Sequence, residues 1–363
     1  MVQRLIGLLI IMNLYGIIIK KNSKIIIIFS TSIIWAIMGL NTYTSDYPFY
    51  ADYYNTQVFS MSFESGFILL SNFLYLVGAD YQKFLMVFFL IGILVMILAA
   101  KDFHVNWPSI ILLYSLTQIY MDTNEIRQFM AYCFFALAMS QYAKKSSKFQ
   151  YCIWIIVAIL FHRSAAILLP FPFLFAGIKN REKILKIYFA VIVFFCGAVF
   201  MNGNRIPGLN TILIAFGLQD KAIYFETSTR YGFLLFWAAY FSNMLVVYFA
   251  KKEINKNDGN YDDYQKKYVK NLWEFLLYTS FAMPLCMLNS EFLRYYRFSV
   301  YPVILVISVI VYKKAKHRLK LCTIRLLPFF LCTFYLIAYN ITFQHWRVVD
   351  EVLKNNILND FLK

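Results

Sequence analysis

FLMVFFLIGILVMILAA (residues 84–100) carries no charged side chain and is nearly long enough to cross a hydrocarbon core. A crossing takes about 20 mostly apolar residues in a helix, which satisfies its own backbone polar groups where no water can. Outward from this stretch, LIGLLIIMNLYGIII (5–19) and YPVILVISVIVY (301–312) repeat the pattern. About a dozen such segments can be drawn along the chain. Composition agrees, at 61% hydrophobic, 20% aromatic and 15% charged, where a soluble domain carries about 25% charged residues. The expected fold is an all-α polytopic membrane protein with about 12 transmembrane helices, a single integral domain over residues 1–363. The regular alternation of a membrane β-barrel is missing. The first apolar segment lacks a small-residue cleavage site and runs straight into another span, so it reads as a helix and not a signal peptide.

In a soluble chain the net charge of +16 would suggest a nucleic-acid partner. Here the lysines cluster in short loops, KKNSK (20–24), AKKSSK (143–148), KNREK (179–183), the 251–270 loop and KKAKHRLK (313–320). Basic residues near span ends are retained on the cytoplasmic side, so these loops read as cytoplasmic and no nucleic acid is expected. YDDY (261–264), among six lysines, reads as part of a solvated linker. The remaining loops then face outward: 41–66, 122–127, 162–164, the larger 202–232 loop and 289–297. Parity holds if 63–79 lies along the interface or re-enters, which puts both termini outside. The six cysteines, Cys133, Cys152, Cys196, Cys286, Cys322 and Cys332, fall in apolar runs without metal-ligand spacing.

Sorted by side, the outward ends collect Arg127, His162, Arg163, Arg205, Arg230, Arg294 and Arg297. That opposes the usual bias against arginine outside, and an anionic ligand at the outer leaflet supplies a reason. Arginine stays charged in a low dielectric and presents a planar fork of donors suited to phosphate oxygens. Arg294 and Arg297, three apart, project from one helical face, with Ser290 and Tyr301 continuing the stripe; lipid-phosphate anchoring is the plain alternative. Arg127 either points into a cavity or pairs with Asp122 or Glu125. His162 titrates near neutrality and can orient or deprotonate a hydroxyl; the plain alternative is a satisfied interfacial residue. In NTYTSDYPFYADYYN (41–55), Asp46 and Asp52 are interleaved with Tyr50 and other aromatics, a pattern suited to sugars as well as to an interfacial belt.

The succession SDYPFYADYY (45–54), FESGFILLSNFLY (63–75), NEIRQFMAYCFFALAM (124–139) and AILFHRSAAILLP (158–170), with the late FLRYYRFSVYP (292–302), resembles the Wzy-type polysaccharide polymerases, in particular their EpsG-like branch. The resemblance implies a GT-C-like helical fold in a bacterial inner membrane, with the active site facing the periplasm or exterior. It implies an enzyme that moves a glycan from undecaprenyl pyrophosphate onto the non-reducing end of another lipid-linked O-antigen, capsule or exopolysaccharide unit. The implied partners are those lipid-linked oligosaccharides, the bilayer and a chain-length regulator. No cofactor is implied, and no metal is expected because the outer loops lack a tight carboxylate cluster. Carried over by position, Arg127, His162, Arg294 and Arg297 take catalytic roles, and Asp46, Tyr50 and Gln128 contact substrate. Asp52, Arg163, Arg205, Arg230 and Tyr301 join the substrate-binding set from charge and spacing alone. An O-antigen ligase, a flippase for lipid-linked sugars and a glycan acyltransferase are the competing readings. The flippase would need buried charges in several helices and related halves.

Overall fold

The computed structural model describes residues 1–19, 23–58, 63–174, 177–206, 208–215, 225, 228–316 and 346–362. Cys322, Cys332, residues 317–320 of the last lysine cluster and much of the 202–232 loop lie outside them. In chain order the helices are α1 (Val2–Ile18), α2 (Lys24–Gly39), α3 (Tyr47–Thr56), α4 (Ser65–Leu76), α5 (Tyr81–Ala100), α6 (Trp107–Thr117), α7 (Ile119–Asn124), α8 (Ile126–Lys145) and α9 (Lys148–Phe161). They continue with α10 (Arg181–Met201), α11 (Leu209–Ala215), α12 (Phe233–Lys256), α13 (Asp263–Tyr278), α14 (Ala282–Leu288), α15 (Arg294–Arg297), α16 (Val300–Lys316) and α17 (Trp346–Lys354). Among the described residues there is no strand, only an isolated bridge between Asn41 and Asn356. Four stretches are long and apolar enough to cross a membrane: Tyr81–Ala100, Arg181–Met201, Phe233–Lys256 and Ser290–Lys313. Several shorter apolar helices accompany them.

Helix α8 is the axis of the bundle. Between its polar ends, residues 129–139 are apolar or small all round, and Phe129, Met130, Ala131, Phe135, Ala136 and Met139 are all buried. A helix without a polar face must be enclosed, and α8 packs against α5, α9, α13 and α16. Its first residues, including Arg127 and Gln128, therefore open into the middle of the molecule.

Helix α4 returns to the end of the bundle from which it starts. Both of its ends touch the ten-residue helix α3: Tyr53 lies 4.0 Å from Phe63 between ring centroids, and the Tyr54 hydroxyl donates to the carbonyl of Ala79 at 2.8 Å. Twelve residues give about 18 Å of helix, short of the ~30 Å hydrocarbon core. Close packing of α4 on α9 depends on Gly66, where a Cβ would stand 2.7 Å from the carbonyl oxygen of Leu160.

Between α9 and α10 the structure departs from the plain helical span that the loop pattern suggests. Residues Arg163–Leu168 form a 3-10 helix, followed by turns through residue 174. Pro170 and Pro172 remove backbone donors and disfavour helix in the residues before them. Irregular backbone inside a membrane needs partners within the protein. The Tyr278 hydroxyl donates to the Ile167 carbonyl at 2.5 Å, the Tyr151 hydroxyl to Leu168 at 2.9 Å, and Arg181 to Phe171 at 2.7 Å.

The end of the bundle that carries α3 also carries the C-terminal segment. Thr42 N–H donates to Asn355 O at 2.9 Å, Ile357 N–H to Leu40 O at 3.0 Å, and Val2 N–H to Asn359 Oδ1 at 3.1 Å. Both terminal segments thus lie on the same side as the 41–47 loop.

Candidate functional site

A cavity of about 660 Å³ opens at this end of the bundle. Its lining comes from segments far apart in sequence: Asp46 and Tyr50 around the head of α3; Met121, Asn124 and Glu125 from α7 and the α7–α8 break; and Arg127 and Gln128 from α8. His162, at the C-terminal end of α9, and Phe236 of α12 close other sides. Ser290, Glu291, Leu293, Arg294 and Arg297 complete the wall. Tight packing of α5, α8 and α9 below gives this floor a rigid base.

Each arginine in the cavity is steered by a carboxylate. Arg127 Nη1 lies 2.5 Å from Glu64 Oε2, its Nε donates to the Tyr50 hydroxyl at 3.2 Å, and its guanidinium stacks over Phe63 at 4.8 Å. Arg297 is 4% exposed, pairs with Asp122 at 2.9 Å and with Glu125, and sits over the Tyr132 ring at 5.1 Å. Arg294 pairs with Glu291 and also donates to its backbone carbonyl at 2.7 Å. Burying a guanidinium without a partner is costly, so these carboxylates hold the three cations in place. The alternative that Arg127 pairs with Asp122 or Glu125 is corrected. Those two acids turn to Arg297, and Arg127 finds Glu64, because the chain breaks at Glu125 before α8 begins.

Glu64 is the connection that the sequence reading missed. Its second oxygen accepts the Arg163 backbone N–H at 3.0 Å, so one carboxylate holds both Arg127 and the turn that presents His162. The FESG motif displayed this residue, but sorting only the cations gave it no role. Asp122, Glu125 and Glu291 were overlooked as site residues for the same reason.

The His162 ring is fixed by the turn that follows α9. Its Nδ1 accepts the Ser164 backbone N–H at 3.2 Å, with the Ser164 hydroxyl 2.7 Å away. A backbone N–H can only donate, so the ring proton resides on Nε2. Burial, together with repulsion from Arg294, Arg127 and Arg297, lowers its pKa from 6.5 to about 3. His162 is therefore neutral at physiological pH and presents a donor.

Asp46 behaves in the opposite way. Its backbone N–H donates to Asn124 Oδ1 at 3.1 Å. Burial and the carboxylates of Glu125, Glu291 and Glu351 raise its pKa from 3.8 to about 6, with Arg127 acting against them. Gln128 is 5% exposed, and its Nε2 has no hydrogen-bond partner among the described residues. It is a buried donor facing the cavity.

The other expected residues fall outside this lining. Asp52 is exposed on the far side of α3. Arg163 is exposed, and its backbone N–H donates to Glu64. Arg205 and Arg230 are exposed, and their backbone carbonyls accept from Asn202 and Asn204. Tyr301 is buried, with its hydroxyl donating to Met96 O at 3.0 Å. Extending the Ser290–Arg294–Arg297 stripe to Tyr301 assumes one uniform helix. Ser290–Leu293 is instead 3-10, and the Tyr301 hydroxyl is taken up by α5. Among the described residues, no three His, Cys, Asp or Glu side chains are grouped to hold a metal ion.

The bundle and its arginine-lined cavity define an all-helical, membrane-embedded protein with a polar chamber at one end. The chain belongs to the EpsG family, whose family model matches residues 24–347. It is thus a polysaccharide-polymerase-type membrane protein. No curated protein and no solved structure matches it.

Proposed function

We propose that this protein is a metal-independent glycosyltransferase that transfers a growing glycan from a polyprenyl diphosphate, such as undecaprenyl pyrophosphate, to the non-reducing end of another lipid-linked repeat unit. The observation that carries this reading is the convergence of Arg127, Arg294 and Arg297 on one cavity with His162, Gln128 and Asp46. As the bond from the sugar C1 to the diphosphate breaks, the leaving group gains negative charge. Preorganised guanidiniums in a confined site stabilise that charge without reorganising solvent. Arg294 is the most accessible of the three, and it exchanges Glu291 for a phosphate oxygen as donor binds. His162, neutral with its proton on Nε2, donates to a substrate oxygen. Gln128 supplies a further donor, and Tyr50 offers an aromatic face for a sugar ring. The reading also includes about twelve crossings, a fold similar to the GT-C enzymes, and a cavity facing the exterior of a bacterial inner membrane.

Deletion of the gene, followed by electrophoresis of surface polysaccharide, tests the proposal. Collapse of the ladder to single repeat units is expected. Complete loss of attached polymer would instead indicate a ligase, and loss of all surface repeat units a flippase.

A further inference from the structure

We infer that Asp46 is the proton acceptor for the attacking sugar hydroxyl, an assignment that rests on the glycosyl-transfer reading above. Three carboxylates line the cavity: Asp46, Glu125 and Glu291. Glu125 is held by Arg297 and Glu291 by Arg294. Among the described residues, no side chain hydrogen-bonds or ion-pairs with the Asp46 carboxylate. Its main chain is nonetheless anchored, through Asn124 on one side and through Ser45, whose N–H donates to Glu351 Oε2 at 2.8 Å, on the other. A carboxylate with fixed backbone and unclaimed oxygens, facing a polar cavity, is placed to accept a proton from a ligand.

The surrounding charges favour that role. Glu125 and Arg127 face Asp46 from the α7–α8 junction, Glu291 from the 3-10 turn before α15, and Glu351 from α17. Three anions against one cation, together with burial, bring its titration to about 6, within the range that suits a base at neutral pH. A bound diphosphate adds negative charge and engages the arginines, so it strengthens the base when donor is present. His162 is placed differently. Its Nδ1 lone pair already holds a backbone N–H, and three guanidiniums oppose its protonation.

The step balances as follows. The acceptor oxygen bonds to C1 of the donor sugar while its proton passes to the Asp46 carboxylate. The C1–O bond breaks, and its electron pair leaves with the polyprenyl diphosphate. The proton on Asp46 then returns to solvent through the cavity mouth.

The test measures kcat and KM between about pH 4.5 and 8.5 for the full-length chain in nanodiscs, with a polyprenyl-diphosphate-linked repeat unit as substrate. The wild-type rate is expected to fall with unit slope below about pH 6. Asp46→Asn should lose about 10²–10⁴ in kcat, keep KM and lack the acid limb. Asp46→Glu should retain a displaced limb, and His162→Gln should retain the limb at lower rate. An Asp46→Asn protein that keeps the limb, or that raises KM with kcat intact, overturns the assignment and makes Asp46 a sugar contact. A wild-type protein that forms no polymer at any pH overturns the glycosyl-transfer reading itself.

Discussion

Arg297 and Asp122 are 175 residues apart in the chain and 2.9 Å apart in space. The pair ties the late arginine segment to α7, beneath the cavity, and leaves both side chains almost wholly enclosed. Asp122 in turn accepts the Tyr114 hydroxyl at 2.9 Å, so the guanidinium rests on a chain of buried polar contacts. Such a pair is costly to break, because the surviving partner stays buried with its charge.

Asp122→Ala should therefore destabilise the protein by about 3 kcal/mol, the lower end for a broken buried pair because Glu125 remains. Reversible unfolding in mixed micelles measures this. Unchanged stability would mean that Arg297 reaches water or lipid phosphate.

Glu64→Gln tests the hinge between Arg127 and the His162 turn. The amide still accepts the Arg163 N–H but loses the ionic contact to Arg127. A hydrogen bond to a charged group is worth about 1.5–3 kcal/mol. Turnover is thus expected to fall about 10- to 100-fold, while lipid-linked donor binds as before. Full activity in a polymerisation assay would remove Glu64 from the site.

Arginine substitutions should divide by position. Arg294→Ala removes a donor aimed into the cavity and should cost about 10²–10³ in rate, seen as loss of the polymer ladder at normal protein levels. Arg205→Ala and Arg230→Ala, whose side chains lie outside the lining, should leave the ladder unchanged. Equal loss from all three would mean that the chamber extends well beyond the cavity described.

Asp46 carries a stability signature independent of turnover. Its pKa is raised on folding, so the folded state holds its proton more tightly than the unfolded chain. The resulting stability is fully present below about pH 4 and is lost as pH rises through about 6. Asp46→Asn removes that loss. The variant should melt at higher temperature than wild type at pH 7.5 and show no such gain at pH 4, as scanning fluorimetry would reveal.

Much of this was legible in the sequence because hydrocarbon imposes simple demands. Uninterrupted apolar runs gave the helices, and arginines gathered in the loops read as outward pointed to Arg127, Arg294 and Arg297, which do converge. His162 and Asp46 were legible as a catalytic and a substrate-binding candidate, yet their protonation behaviour was not. It depends on which charges from distant segments stand nearby, and linear spacing does not encode that. Arg205, Arg230 and Tyr301 were over-read for a related reason. An inferred membrane side and a helical phase are necessary for a shared site, but neither says which distant segments meet. Glu64 stood in plain view beside Gly66, but its two partners, Arg127 and Arg163, are 63 and 99 residues away.

The clasp formed by Glu351 on Ser45, joined by the main-chain contacts of Asn355 and Ile357 with Thr42 and Leu40, spans more than 300 residues of sequence. During biosynthesis the loop bearing Asp46 emerges early and waits, without its buttress, until nearly every later helix has been inserted. The chamber therefore matures as one of the last events of assembly, and a half-inserted chain has no finished site.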